Sequence, residues 1–215
     1  MATYVFGDIH GEHEQLVELL NKIEYDRTSD QLIFLGDYID RGQNSLKTYE
    51  LIWRLADENK RNVFLRGNHE QMMIDSVLNG ESDSLWTYNG GSTTLDDFHY
   101  DRKMLEDAAK WFNSLPIVHS TDDYIFVHAG IKPGLRLHEQ SPSDMLWIRQ
   151  EFIYADAEDF KDDRVIIAGH TPFEEVMFFG KMILLDTGAG KGGHLSCLDL
   201  NEGKVISTSS SEKAV

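Results

Sequence analysis

Repeatedly along the chain, a short apolar run gives way to a glycine or small residue and then to a side chain able to bind a metal ion. The instances are Tyr4-Val5-Phe6-Gly7-Asp8, Leu32-Ile33-Phe34-Leu35-Gly36-Asp37, Val63-Phe64-Leu65-Arg66-Gly67-Asn68-His69, Ile125-Phe126-Val127-His128 and Val165-Ile166-Ile167-Ala168-Gly169-His170; Ile183-Leu184-Leu185-Asp186 follows later. Runs this short and this uniformly apolar predict strands buried on both faces, because a half-buried strand would alternate polar with apolar residues. In open α/β sheets ligands gather beyond the carboxyl ends of strands, so polar residues that follow separate strands are expected to converge although they lie far apart in sequence.

Helical periodicity fills the gaps. Residues 12–23 put Leu16, Leu19, Leu20 and Ile23 on one face, and residues 46–56 do the same with Tyr49, Ile52, Trp53 and Ala56. Residues 70–78, 84–98 and 102–112, the last stopped before Pro116, read as a helical insertion at about 70–113. Beyond Phe173 the pattern turns to hairpins, 176–179 with 182–185 and 195–200 with 205–208, so this end is expected to be mostly antiparallel. The fold class is therefore α/β. At 215 residues, one domain over 1–208 is expected, with 209–215 a frayed tail.

The formal charge of −17 argues against nonspecific binding to nucleic acid or to an anionic membrane, since no basic face exists to release counterions. No stretch approaches the roughly 20 apolar residues of a membrane span, and no basic, apolar leader precedes the first strand, so a cytoplasmic location is expected. The one cysteine, Cys197, has no internal disulfide partner and reads as a small buried residue.

The polar residues after the strands have a definite chemistry. Gly7-Asp8-Ile9-His10-Gly11 offers a carboxylate and an imidazole, a mixture suited to a borderline divalent cation. Gly36-Asp37-Tyr38-Ile39-Asp40-Arg41-Gly42 adds a carboxylate able to bridge two ions, with Asp40 and Arg41 behind it. Gly67-Asn68-His69-Glu70, His128-Ala129-Gly130 and Gly169-His170-Thr171 complete the series. One such motif alone is weak; the ordered series is specific.

In order and spacing this series resembles the calcineurin-like metallophosphoesterases, and within them the phosphoprotein phosphatase family in its small bacterial and phage, lambda phosphatase-like branch. The resemblance runs from Tyr4 to about Leu200. It implies a four-layer αββα sandwich of mixed sheets with helices outside. It also implies two divalent ions, with Asp8 and His10 on the first, Asp37 bridging, and Asn68, His128 and His170 on the second. His69 would be the general acid, oriented by Asp40, while Arg41 and Arg149 would hold the phosphate oxygens. The third motif departs from the His-Gly-Gly of larger relatives, reading His128-Ala129-Gly130, but keeps its histidine.

Physical chemistry is consistent with those roles. Two divalent ions facing two carboxylates leave a site charge of about +2, enough to attract a phosphate dianion and to bring the pKa of a shared water toward neutrality for in-line attack. Mn²⁺ is the first choice of metal, with Fe or Zn²⁺ as alternatives. The expected substrate is a phosphoprotein or phosphopeptide carrying phosphoserine or phosphothreonine. A symmetrical dinucleoside tetraphosphate hydrolase is the alternative, and a noncatalytic scaffold, which the complete ligand set opposes, is the third. Oligomeric state stays open.

Other residues have plainer readings. Arg41 as a mere partner for Asp40, and Arg149 as a helix-surface arginine, are the alternatives for those two. Asp186 reads as turn or supporting chemistry. His13, His99, His119, His138 and His194 read as surface or packing histidines, the acidic run at 156–163 as solvated surface, and the glycines from Gly188 to Gly193 as a flexible loop rather than a phosphate cradle. Trp86, Tyr88, Trp111 and Trp147 read as core, with Trp86 and Tyr88 lining a cleft as the alternative.

Overall fold

The apolar runs do form strands. A computed structural model describes residues 2–208 and contains β1 (Thr3–Phe6), β2 (Gln31–Phe34), β3 (Val63–Phe64), β4 (Val118–Ser120), β5 (Tyr124–Val127), β6 (Val165–Ala168), β7 (Met177–Phe179), β8 (Met182–Leu184), β9 (Ser196–Asp199) and β10 (Lys204–Ser207). The expected frayed tail at 209–215 lies outside the described residues. The strands make two mixed sheets, ordered β10-β9-β1-β2-β3 and β4-β5-β6-β8-β7. β1, β2 and β3 are mutually parallel in the first sheet, and β5, β6 and β8 in the second.

Strand period explains why these runs are apolar throughout. Val5, Ile33, Phe126, Ile167 and Leu198 point into one cluster between the sheets. Their neighbours Tyr4, Phe6, Leu32 and Phe34 point the other way, under α1 (His13–Lys22), α2 (Ser45–Glu58), α3 (Asn68–Val77) and α6 (Arg102–Ser114). On the second sheet Ile125, Val127, Ile166 and Ala168 face α7 (Pro142–Trp147) and α8 (Gln150–Ile153). Helix, sheet, sheet and helix are thus stacked as four layers. The rings of Phe6 and Phe64 flank that of Phe34 at centroid distances of 4.5 and 4.9 Å, so Phe34→Ala would cost about 3–5 kcal/mol.

Several local features differ from the sequence expectation. The helix expected over 84–98 is broken into α4 (Ser84–Trp86), a wide turn at Thr87–Gly91 and α5 (Ser92–Asp97), because Gly90 takes a φ of 110°. Helix α3 begins before Glu70, whose carboxylate reaches back to accept from the Gly67 amide at 2.9 Å. β4, short and polar, was not foreseen. Both C-terminal hairpins form, but β8 also pairs in parallel with β6 and so joins the site-bearing strands. Cys197 is buried, and burial pushes its thiol up to about 12, which leaves it inert. Among the described residues no helix is long and apolar enough to cross a membrane.

Candidate active site

The parallel strands of both sheets end on the same edge, and there the backbone is contorted. His10, Asp37, Asp40, Arg41 and His170 all adopt positive φ, at 50°, 54°, 74°, 69° and 65°. Such conformations cost about 1–3 kcal/mol each for non-glycine residues and persist only where the surroundings over-determine them. Here they are held by cross-loop hydrogen bonds. Ile9 and His10 donate their amides to the Asp37 carbonyl at 3.0 and 2.8 Å, and the Glu70 carboxylate accepts the amides of Asp37, Tyr38 and Gly67 at 2.8, 2.8 and 2.9 Å. Glu70 is fully buried and clamps the second and third motifs together. Sequence reasoning had not given it a role, although its place three residues after Gly67 at a helix start was the available signal. Close approach also explains Gly169, where a Cβ would lie 2.2 Å from Asp8 Oδ1.

These loops bring donors from both sheets together. His10 Nε2 lies 3.4 Å from Asp37 Oδ2 and 3.9 Å from Asp8 Oδ2, and His128 Nε2 lies 3.4 Å from Asp37 Oδ1. Asn68 Oδ1 and His170 Nδ1 approach His128 Nε2 at 2.9 and 3.1 Å. Two groups of ligating atoms able to hold a cation result, His10, Asp37 and His69 in one and Asp37, His128 and His170 in the other, with Asp37 shared. Asp8 borders the first group, its carboxylate accepting the His170 amide at 3.0 and 3.1 Å. Paired cation-binding geometry with a shared carboxylate agrees with what relatives of the chain are. The family model for calcineurin-like phosphoesterases matches residues 1–197. The chain is 33% identical over 206 residues to serine/threonine-protein phosphatase 1 of Salmonella typhimurium, across 90% of this chain and 89% of that protein. It is 27% identical over 241 residues to the asymmetrical bis(5'-nucleosyl)-tetraphosphatase PrpE of Bacillus cereus strain Q1, across 98% of this chain and 95% of that protein. A protein serine/threonine phosphatase from Saccharomyces cerevisiae superposes with a TM-score of 0.73 at 19% identity, over 99% of this chain and 81% of that one.

The chain is a calcineurin-like phosphoesterase of the phosphoprotein phosphatase family. As a metal-dependent phosphatase it is an enzyme, which removes the scaffold alternative. The tetraphosphatase relative is of the asymmetrical kind, not the symmetrical kind named as the alternative from sequence.

The donor chemistry of the phosphoesterase suits divalent cations. His10 Nδ1 donates to the Ile39 carbonyl at 2.9 Å and His128 Nδ1 to the Leu35 carbonyl at 3.0 Å, so each turns a bare Nε2 toward the centre. Burial, with the nearby His69 charge, holds His10 well below the usual imidazole range; burial alone is the leading cause for His128. His170 is driven down to about 2 by burial, then by His128 and Arg149, and its Nε2 has no hydrogen-bond partner although buried. Burial opposes ionisation of Asp37, but His128, His69, His10 and His170 outweigh it and hold that carboxylate well below its ordinary range. Asp8 goes the other way, raised by burial, by Asp186 and by Asp37. Crowded anions beside neutral imidazoles make a strong cation trap inside an acidic protein.

Around this centre stand the remaining expected residues. His69 Nδ1 contacts Asp40 Oδ2 at 2.6 Å, and its Nε2 faces the guanidinium of Arg41 at 2.9 Å. Burial works to lower the His69 pKa, but Asp37 and then Asp40 outweigh it, and the net shift is upward. Arg41 also donates to His10 Nε2 at 2.5 Å. Arg149, an exposed residue, donates to the His170 carbonyl at 3.0 Å and to Thr171 Oγ1 at 3.1 Å, and the charges of Asp8, Asp37 and Asp186 act on its guanidinium. These contacts put its guanidinium beside His170, at the edge of the centre. Asp186 is buried and accepts from the Gly188 amide at 2.9 Å, so turn chemistry describes it. The glycine loop spends the amides of Lys191, Gly192 and Gly193 on its own carbonyls, as a loop does and a phosphate cradle does not. Trp147 was missed as a neighbour of the site: its ring meets that of His170 edge-on at 6.2 Å. Trp86 is buried rather than lining a cleft, whereas Tyr88 is 89% exposed.

Proposed function

We propose that this phosphoesterase removes phosphate from phosphoserine and phosphothreonine in proteins. The observation that carries the reading is the buried His69–Asp40 pair at 2.6 Å. A serine or threonine alkoxide is a poor leaving group and needs a proton as the P–O bond breaks, whereas a nucleotide phosphate leaving from an anhydride does not. A buried acid pair is therefore of most use to an alkyl phosphomonoesterase. The 33% identity to a serine/threonine-protein phosphatase supports the same reading.

Asp8, His10, Asp37, Asn68, His128 and His170 would hold two divalent cations, with Mn²⁺ the first choice over Fe or Zn²⁺. When bound, the cations supply Lewis-acid charge and an acidified water as nucleophile. Arg41 and Arg149 spread the charge on the phosphoryl oxygens through their planar forks. His69 Nε2 gives its proton to the departing oxygen, and Asp40 keeps the Nδ1 proton in place.

A second reading, dinucleoside tetraphosphate hydrolysis, is favoured by the similarity to PrpE over 98% of the chain. The deciding assay offers the Mn²⁺-loaded enzyme a phosphothreonine peptide and diadenosine tetraphosphate at equal concentration. Higher kcat/KM on the peptide is expected; turnover of the dinucleotide with the peptide untouched would replace the first reading by the second.

A further inference from the structure

We propose that Trp86 and Thr94 are positioning residues for proton delivery, acting through Asp40 on His69; this rests on the reading of His69 as the general acid. Neither residue touches the centre. Trp86 Nε1 lies 3.0 Å from Asp40 Oδ1 and 2.9 Å from Oδ2, and Thr94 Oγ1 donates to Oδ1 at 2.6 Å. The Asp40 amide in turn donates to Thr94 Oγ1 at 3.0 Å and to Ser45 Oγ at 3.1 Å. All of these side chains are buried, Trp86 at 1% exposure and Asp40, Ser45 and Thr94 at 0%.

The chemistry of these donors makes the arrangement directional. An indole N–H donates and never accepts, so it can only face acceptor oxygens. With Trp86 and Thr94 fixing the plane of the Asp40 carboxylate, one lone pair on Oδ2 remains aimed at His69 Nδ1. That contact holds the imidazole in one tautomer and one ring orientation, with Nε2 turned to the centre. As the ester P–O bond breaks, the Nε2 proton passes to the leaving oxygen while water oxygen forms the new bond to phosphorus. The ring is left as the Nδ1–H tautomer that Asp40 stabilises.

The backbone of the segment that carries both residues is shaped for this task. Trp86 precedes the wide turn Thr87–Gly91 and Thr94 follows it, so the break in the helix lets one segment present two donors to one carboxylate. The same turn seats Arg41, whose amide donates to the Gly90 carbonyl at 3.2 Å; a Cβ on Gly90 would stand 2.8 Å from Arg41 Cγ. A tryptophan serving the core alone would satisfy its N–H on any nearby carbonyl. This one spans both oxygens of the single carboxylate that orients His69.

The test uses leaving-group dependence. The Mn²⁺-loaded enzyme and the variants Thr94→Val, Thr94→Ser, Trp86→Phe and His69→Asn are assayed on phenyl phosphate, whose leaving group needs a proton, and on dinitrophenyl phosphate, whose leaving group departs as the anion. In T94V and W86F, kcat on phenyl phosphate falls about 10-fold or more while dinitrophenyl phosphate falls by less than about 3-fold, and T94S recovers the wild-type pattern. Equal losses on both substrates in T94V and W86F, with the selective loss present in H69N, would overturn the positioning role and leave His69 as the acid. Equal losses in H69N would remove the acid reading and this inference together. A second readout is independent of turnover and of cations. Ring ¹⁵N shifts of His69 in the metal-free protein, read at a pH where the ring is neutral, are expected to show one Nδ1-protonated tautomer, mixed in T94V, whose folding is checked by far-UV circular dichroism, and restored in T94S; a tautomer unchanged in T94V would overturn the proposal.

Discussion

His128 Nε2 and Asn68 Oδ1 lie 2.9 Å apart although each presents a lone pair to the other. The imidazole has no proton there, because its Nδ1 proton is committed to the Leu35 carbonyl and burial disfavours a second one. Two buried acceptors in contact repel, and a cation held by Asn68, His128 and Asp37 would relieve that repulsion. Divalent cations should therefore stabilise the fold itself. At 100-fold excess over Kd the gain is about 2.7 kcal/mol, which raises Tm by roughly 5–10 °C for a chain of this size. Thermal melts after chelation and after add-back of Mn²⁺, Fe²⁺ or Zn²⁺ check this, and identical melts throughout would count against the cation site.

Replacing His69 separates chemistry from cation binding. His69→Asn keeps a polar side chain in the pocket beside Asp40 and removes the proton donor. Turnover of a phosphothreonine peptide should fall by about 10²-fold or more. The Tm increment produced by Mn²⁺ should persist, since Asn68, His128, His170, Asp37, Asp8 and His10 are untouched. A variant that turns over normally would dismiss His69 from proton transfer.

Much of this was legible in the sequence, for a definite reason. Strands buried on both faces have no polar positions, so Val5, Phe6, Ile33 and Phe34 announce themselves, and the polar residue that ends each run marks the carboxyl edge of a sheet. The convergence of Asp8, Asp37 and His128 follows from two sets of parallel strands ending on one side. What the sequence concealed depends on backbone geometry. Aspartate and histidine tolerate positive φ more readily than most residues but adopt it too seldom to mark Asp40 or His170, Arg41 carries no such signal, and the broken helix at Gly90 looks in sequence like one continuous segment. Trp86 was hidden differently: its partner Asp40 lies 46 residues away, beyond the reach of any local pattern, and although Glu70 carries a local capping signal toward Gly67, its reach to Asp37, 33 residues away, has none.

Gly169 should tolerate no side chain. A Cβ there would stand 2.2 Å from Asp8 Oδ1, so Gly169→Ala must displace either the carboxylate or the loop carrying His170. Overpacking of this kind costs about 1–3 kcal/mol, a Tm loss of several degrees in the chelated protein. The cation-dependent increment should shrink further, because both Asp8 and His170 shift. Melts with and without Mn²⁺ check this, and a full increment in Gly169→Ala would show that the two loops need not approach so closely.

Acid should weaken cation binding through carboxylates rather than imidazoles. Burial, then Asp186, raises the Asp8 pKa, and burial raises Asp186 to about 6, so in the metal-free protein protons occupy this corner as pH falls through that range. On the proposed ligand set a cation would need Asp8 ionised and would have to displace its proton. His170, held near 2 by burial, His128 and Arg149, stays neutral and offers no competition. For folding alone the signs oppose each other. The depressed imidazoles lose stability as pH falls below their ordinary value, while Asp186 loses its contribution as pH rises from about 4 through 6. The informative quantity is thus the Mn²⁺ increment, which should grow from pH 5 to pH 8 with release of on the order of one proton per binding event at the lower pH. Titration calorimetry in two buffers of different ionisation enthalpy measures that proton directly, and cation binding with no proton released at pH 5 would show that Asp8 is already ionised there.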